Sequence, residues 1–417
     1  MDIWHMRGGR RLEGVSFVQG SKNASLPILA ASILSPLQCE LHNVPQLKDV
    51  DAALRILRHL GCRAEQRGNE VYIDSTGLSG CSIPHTLMEE MRSSVIFMGA
   101  LIARCGEAKL SLPGGCQLGK RPIDLHLSAL RQLGAELEEN GMEIQCRPSR
   151  LRGTEIFLPF PSVGATENTM LSACMAKGKT VIHGAAREPE ILALQEFLCA
   201  IGMRISGAGS DTIEIERGQI EKHVSCRIIP DRIVASTIAC AAAATGGDVE
   251  LRGIDPKQFS TVLHFLNKAG CDIINNNRFV RVRSEGRLRA VGEVVTEPYP
   301  GFPTDAQPVL MAALLKAEGK SLIRETIFEN RFRQVPELRR LGADINCSGQ
   351  LAEICGVDHL HGSTVTATDL RGGAAMIVAG LSADGETVIC DDGYITRGYE
   401  HFDMRLRSLG ADIYLEY

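Results

Sequence analysis

An inside-out α/β architecture, two inverse α/β domains of three repeated units each with helices buried and sheets outside, is what this 417-residue sequence predicts. Three observations predict it. A helix-closing glycine recurs about every 70 residues, a second set of helices lacks a polar face, and short strands alternate polar with apolar residues.

The recurring unit is a helix that ends in glycine and runs directly into a strand. It occurs at Leu60-Gly61-Cys62, Leu133-Gly134-Ala135, Ile201-Gly202-Met203, Ala269-Gly270-Cys271, Leu341-Gly342-Ala343 and Leu409-Gly410-Ala411. Glycine closes such a helix because it adopts the left-handed conformation at no steric cost, so the chain can turn back as a strand. Out of phase runs a second helix, first around Ala24 to Leu34 and then ending near Gly106, Gly178, Gly247, Gly319 and Gly385. The run Ala235-Ser236-Thr237-Ile238-Ala239-Cys240-Ala241-Ala242 is its extreme form, and a helix without a wet face has to be surrounded by protein. Thr212-Ile213-Glu214-Ile215-Glu216 and Arg281-Val282-Arg283 alternate, so each sheet keeps one face in water. Gly207-Ala208-Gly209 reads as a hairpin turn rather than a nucleotide fingerprint. Six units divide into two domains, residues 22–229 and residues 1–21 with 230–417, with a boundary near Ile229-Pro230-Asp231 and an active site expected in the cleft between them. The opening strand, up to about Gly20, is free on this reading to pair with either half.

Composition narrows the function. The net charge of −5 and the lack of a long basic run disfavour nucleic acid or an anionic membrane as partner, so a bound anion must be held by a local cluster of Arg and Lys. The first residues, Met1 to Arg7, lack the apolar core of a signal peptide, and no apolar stretch approaches the roughly 20 residues that span a bilayer. The 14 cysteines are scattered with no C-x-x-C pair, which points to free thiols, a reducing cytoplasmic setting and no metal site. P-loop, H-E-x-x-H and G-x-S-x-G motifs are absent.

Four segments carry candidate chemistry. Ser21-Lys22-Asn23-Ala24 places a lysine where an apolar helix begins, which suits a phosphate; the alternative is a solvated lysine beside an Asn cap. The loop Leu112-Pro113-Gly114-Gly115-Cys116-Gln117-Leu118-Gly119-Lys120-Arg121-Pro122 sets a thiol near two cations, which favours the thiolate, whereas most of the other thirteen cysteines are expected to be buried and inert. Arg92, Arg121, Arg331, Arg371 and Arg397 stand at loop-to-helix junctions of the repeats and supply planar donors for phosphate and carboxylate if those junctions converge. Asp305, in Phe302-Pro303-Thr304-Asp305-Ala306-Gln307, is either a helix N-cap or a carboxylate that accepts a proton from a hydroxyl.

Taken in order, these segments resemble the UDP-N-acetylglucosamine 1-carboxyvinyltransferases over essentially the whole chain. The likeness runs through Ser21 to Ala24, Leu112 to Cys116, Arg121-Pro122-Ile123-Asp124-Leu125-His126, Ser162-Val163-Gly164-Ala165-Thr166-Glu167-Asn168 and Ala185-Ala186-Arg187-Glu188-Pro189-Glu190. It continues through Phe302 to Asp305, Phe328-Glu329-Asn330-Arg331, Ala367-Thr368-Asp369-Leu370-Arg371 and Arg397-Gly398-Tyr399-Glu400. The resemblance implies the inside-out fold and an addition of the sugar 3-hydroxyl to phosphoenolpyruvate followed by loss of phosphate, the first committed step of peptidoglycan precursor synthesis. It implies Cys116 as proton donor, able to form a covalent adduct with phosphoenolpyruvate and open to epoxides of the fosfomycin type, and Asp305 as the base. Lys22, Asn23, Arg121, Arg331, Arg371 and Arg397 match phosphoenolpyruvate ligands, with Lys22 and Arg397 also catalytic and Asp369 close by. Arg92, Arg121, Pro122, Ile123, Asp124, Leu125, Ser162, Val163, Gly164, Asp305 and Ile327 match the UDP-sugar pocket, and no cofactor is implied. Two departures stand out. Tyr394 and Thr396 replace a His and an Asp common in the family's turn before the final arginine, and Phe160-Pro161 stands where many members have a lysine, as in Gram-positive forms. Two rivals share the motifs: a ligand-sensing relative without chemistry, and a transferase with another acceptor such as shikimate 3-phosphate, against which the Gly-Gly-Cys loop argues.

Overall fold

The six helix-closing glycines set the architecture. In the computed structural model, which describes residues 1–91, 93–111, 123–141, 143–147, 150–277 and 279–416, each of Gly61, Gly134, Gly202, Gly270, Gly342 and Gly410 lies in the left-handed region, with φ from 93° to 106°. Each hands the chain to a strand: Arg63–Arg67, Glu136–Asn140, Arg204–Ser206, Asp272–Asn275, Asp344–Ser348 and Asp412–Glu416. Every one of these forms the edge of a four-stranded sheet, antiparallel to an inner strand, while a strand parallel to its neighbour forms the opposite edge.

Two compact units result, one of Gly20–Ile229 and one of Met1–Gln19 with Pro230–Tyr417, and each carries three sheets. In the first, the late strand His223–Arg227 lies parallel to Gln38–His42 and completes the sheet that opens the unit. The opening strands belong to the second unit. Asp2–Arg7 is an inner strand between Glu386–Asp391 and Asp412–Glu416, and Glu13–Phe17 pairs in parallel with Asp248–Arg252. The side chain of Trp4 is fully buried there.

The second set of helices fills the cores. Lys22–Ala31, Ile96–Cys105 and Val163–Ala173 pack within the first unit, and Arg232–Ala244, Gln307–Ala313 and Leu370–Ser382 within the second. The last twelve residues of Leu370–Ser382 and the first twelve of Arg232–Ala244 are all buried. Their hydroxyls bond carbonyls one turn back, as Ser236 Oγ does to Arg232 O at 2.7 Å and Thr237 Oγ1 to Ile233 O at 2.8 Å, so burial leaves no unmet donor at either position. The strands show the complementary pattern: in Thr212–Glu216, Ile213 and Ile215 are buried and Glu214 is exposed.

Gly207 and Gly209 take φ of 96° and 88° in the hairpin between Arg204–Ser206 and Thr212–Glu216. The cysteines correct one expectation. Of thirteen free thiols among the described residues only six are buried, and Cys105, Cys199 and Cys347 are exposed, because several lie on the wet faces or at the ends of the outer elements rather than in the helical core. Burial nevertheless pushes Cys62 and Cys271 up to about 11, so these are poor nucleophiles. No helix among the described residues is long and apolar enough to cross a membrane.

Candidate active site

In the second unit, Asp305 lies between two arginines. Its Oδ1 accepts from Arg331 Nη2 at 2.9 Å, and its Oδ2 accepts from Arg371 Nη2 and Nε at 3.0 and 3.2 Å. Both guanidiniums are only 3–4% exposed, while the carboxylate is one-third exposed. Asp305 is therefore not the cap of the following helix: Gln307–Ala313 begins after Ala306 with no side-chain cap bond. The N-cap alternative is corrected by long-range pairing, which local spacing does not reveal.

Each member of this cluster is fixed by its own element. Asp369 Oδ1 caps Leu370–Ser382 by accepting from Arg371 N at 2.9 Å and Gly372 N at 3.1 Å, which starts the helix with Arg371 in its first turn. A Cβ on Gly372 would lie 2.5 Å from Thr368 Oγ1, so the bare backbone permits that cap. Arg371 Nη1 donates to Tyr399 Oη at 3.3 Å, and Tyr399 Oη shares a hydrogen with Thr237 Oγ1 at 2.9 Å. Burial opposes the charge on Arg371, but Asp305 and the Tyr399 oxygen outweigh it and push the guanidinium up. Arg331 donates through Nε and Nη2 to Thr304 O at 3.3 Å and lies 3.9 Å from Asp369. Glu325, which sequence reasoning passed over, ties the surrounding loops together. Its Oε1 accepts from Ile327 N and Phe328 N at 2.9 and 3.1 Å, and its Oε2 from Thr304 Oγ1 at 3.0 Å. Arg397 ends the short 3-10 turn Ile395–Arg397 and is half-buried.

In the first unit, Ser21 rather than Asn23 caps the helix Lys22–Ala31, through Ser21 Oγ and Ala24 N at 3.2 Å. Lys22 is not a solvated lysine. Its Nζ pairs with the buried carboxylate of Asp49 at 3.1 Å, and its side chain is 11% exposed. Asn23 follows in the same first turn. Ser162 caps Val163–Ala173 through Ala165 N at 3.4 Å, leaving Val163 and Gly164 half-buried at that terminus.

A Cβ on Gly164 would meet His126 Cε1 at 2.9 Å, so only glycine lets the imidazole pack against this turn. Asn168 fixes that ring. Its Oδ1 accepts from Gly99 N at 2.8 Å, so its Nδ2 donates to Val95 O at 3.2 Å and to His126 Nδ1 at 2.7 Å. Nδ1 is therefore the acceptor, and a neutral His126 carries its proton on Nε2, toward Gly164. Ile123, Asp124 and Leu125 open the helix Asp124–Gln132 that carries His126. Nearby on the helix Val163–Ala173, Glu167 is buried, and burial together with Glu190 and Glu188 holds its carboxyl well above the usual range.

Arg92, Cys116, Arg121 and Pro122 lie outside the described residues. The structure brings Asp305, Arg331, Arg371 and Asp369 together in one unit, and Ser162, Val163, Gly164 and His126 together in the other.

A family model described as EPSP synthase (3-phosphoshikimate 1-carboxyvinyltransferase) matches residues 6–406. The chain is 48% identical over 413 residues to UDP-N-acetylglucosamine 1-carboxyvinyltransferase 2 of Caldanaerobacter subterraneus subsp. tengcongensis, covering 99% of each. It is 48% identical over 412 residues to UDP-N-acetylglucosamine 1-carboxyvinyltransferase 1 of Symbiobacterium thermophilum, covering 97% of this chain and 93% of that one. Among solved structures, the enolpyruvyl transferase NikO from Streptomyces tendae superposes with a TM-score of 0.89 at 24% identity, covering 99% of this chain and 98% of that one. EPSP synthase from Acinetobacter baumannii follows at 0.78 and 19%, covering all of both chains. Those two likenesses carry the fold alone.

Proposed function

Because the chain belongs to the EPSP synthase family, and within it to the UDP-N-acetylglucosamine 1-carboxyvinyltransferases, we propose that it moves the enolpyruvyl group of phosphoenolpyruvate to the 3-hydroxyl of UDP-N-acetylglucosamine and releases phosphate. This is the first committed step toward peptidoglycan. The observation that carries the reading is the Asp305 carboxylate seated on two buried guanidiniums.

Those guanidiniums form an anion site now filled by the protein's own carboxylate. The phosphate and carboxylate of phosphoenolpyruvate offer Arg331 and Arg371 the same bidentate partners, and taking them frees Asp305. Asp305 then accepts the 3-hydroxyl proton while the sugar oxygen bonds to the central carbon. The electrons of the carbon–carbon double bond take a proton from the Cys116 thiol onto the methylene carbon, which gives a tetrahedral phospho-intermediate. The Cys116 thiolate takes a proton back from that carbon, which restores the double bond as the carbon–oxygen bond to phosphate breaks, and phosphate leaves with the electron pair and takes up the proton held by Asp305. Lys22, Arg121 and Arg397, with Asn23 beside them, hold the anionic substrate and balance the charge it develops. Ile123, Asp124, Leu125, Ser162, Val163 and Gly164, together with Arg92, Pro122 and Ile327, bind the nucleotide sugar.

The test is phosphate release from phosphoenolpyruvate with UDP-N-acetylglucosamine or, separately, shikimate 3-phosphate as acceptor. Release is expected with the nucleotide sugar alone and is expected to be lost in Cys116→Ala. Tight binding of the sugar without release would replace the transferase by a ligand sensor.

A further inference from the structure

Arg397 sits on a turn from Asp391 to Glu400 that is fastened at both ends. At the entry the buried Asp391 accepts from Tyr394 N at 2.7 Å and from Ile395 N at 3.1 Å. Within the turn, Thr396 Oγ1 donates to Gly393 O at 3.3 Å, so the hydroxyl that stands in place of the family's Asp is engaged locally. At the exit the fastening comes from the far end of the sequence. Gln19 Nε2 donates to Gly398 O at 3.2 Å, and Gln19 Oε1 accepts from Glu400 N at 2.9 Å. The two bonds bracket Tyr399 and begin one residue after Arg397. Gln19 is 3% exposed, and its own carbonyl accepts from Asp231 N at 2.8 Å.

A primary amide is the side chain that donates to a carbonyl and accepts from an N–H through one planar group. Two such bonds out of water define the peptide planes on either side of Tyr399, whose hydroxyl meets Arg371. They therefore define the direction in which the preceding residue leaves the backbone. Gln19 is also the last residue of its unit before the chain passes into the other at Gly20, so the arginine-bearing turn is tied directly to the crossing point of the chain.

We propose that Gln19 is a positioning residue for Arg397: its amide clamps the exit of the turn and so presents the guanidinium to phosphoenolpyruvate. The inference rests on the reading above that Arg397 binds that substrate. It concerns a residue that touches no reacting atom, so its signature is selective for one substrate. The charged groups around the clamp are Asp231, which caps Arg232–Ala244, the buried Glu400, and Arg405, which donates to Phe17 O. They are present in every variant and cancel when each profile is divided by the wild-type one.

Two substitutions test it in the full chain. Gln19→Glu keeps the shape and the acceptor for Glu400 N but, when ionised, sets a carboxylate against the Gly398 carbonyl. Gln19→Met keeps the length and removes both bonds. Each is expected to raise KM for phosphoenolpyruvate about tenfold at neutral pH, with KM for UDP-N-acetylglucosamine within about twofold of wild type. A protonated carboxyl is a donor again. The Gln19→Glu defect should therefore shrink as pH falls, while the Gln19→Met defect, relative to wild type, stays flat.

An unchanged KM for phosphoenolpyruvate in both variants, an equal rise for both substrates, or a Gln19→Glu profile parallel to that of Gln19→Met would each overturn the proposal while leaving the transferase reading intact. If Gln19→Met fails to fold, the Gln19→Glu profile decides alone. A wild-type protein that releases no phosphate overturns both.

Discussion

Asp305 neutralises two guanidiniums that are almost sealed from water, so removing it strands buried charge rather than breaking a surface pair. Asp305→Ala should lose roughly 3 kcal/mol of stability and all detectable phosphate release. Free phosphate should then stabilise the variant more than the wild type, because the anion re-pairs arginines that the native carboxylate otherwise occupies. Urea unfolding with and without added phosphate measures this. Equal stabilisation of both proteins would mean that Arg331 and Arg371 do not form an anion site. The same cluster marks where sequence reading stops at this scale. Asp305, Arg331 and Arg371 were each visible as candidates from their junction positions, but their partners lie 26 and 66 residues away. Local spacing left Asp305 divided between cap and base. His126 and Gln19 were missed as placing residues for the same reason, since what they meet is remote in sequence; Gln19 and Gly398 are 379 residues apart. Glu325 was missed because its bond to Thr304, 21 residues back, is what joins its local loop to the site.

Elements were far more legible, because helix closure and face burial are written in neighbouring residues. The glycine period fixed six strand starts, and the absence of a polar face identified the core helices. Gly202 gives the physical reason. At φ 99°, an added Cβ would lie 1.7 Å from Gln219 O, a contact with backbone that no rotamer relieves. Gly202→Ala should cost upwards of about 3 kcal/mol. Gly178→Ala, at φ 95° with nothing within 4 Å of the new Cβ, should cost only about 1 kcal/mol. Comparing the two denaturation midpoints separates steric contact from backbone strain.

The helix Val163–Ala173 carries the opposite kind of information, a carboxyl within its buried stretch from Ala165 to Ala173. Glu167 has its folded-state pKa raised by burial and by Glu190 and Glu188. The folded state therefore keeps a proton that the unfolded state loses near 4.5. The stabilisation is complete below that value and declines as pH rises through the folded-state pKa. Glu167→Gln abolishes this decline, so its stability advantage over wild type should widen by up to about 1.4 kcal/mol per pH unit above 4.5. Unfolding free energies measured in parallel from acid to neutral pH give the slope, and a constant difference would show that Glu167 is ionised in the folded protein.

On the scale of the whole molecule, one unit is a continuous insertion into the other. The chain leaves after Gln19 and returns at Pro230, so residues 20–229 hold every strand of their own three sheets, whereas the other unit depends on both ends of the chain. One of its three sheets takes an inner strand from Asp2–Arg7, with the Trp4 side chain of that strand buried, and this pairing was left open by the sequence because a lone alternating strand fits either half. Closure of the inserted unit rests on a late element too. His223–Arg227 pairs along its full length with Gln38–His42, and Gln38 N also donates to the carbonyl of Lys222. A fragment of residues 20–229 should therefore fold alone, with cooperative unfolding and protected amides in Gln38–His42. A fragment stopped at Glu216 loses that edge strand and exposes the open side of the first sheet, and it should unfold at markedly lower denaturant or aggregate. Hydrogen exchange on both fragments decides the point: equal protection in Gln38–His42 would show that the late strand is not what closes the unit.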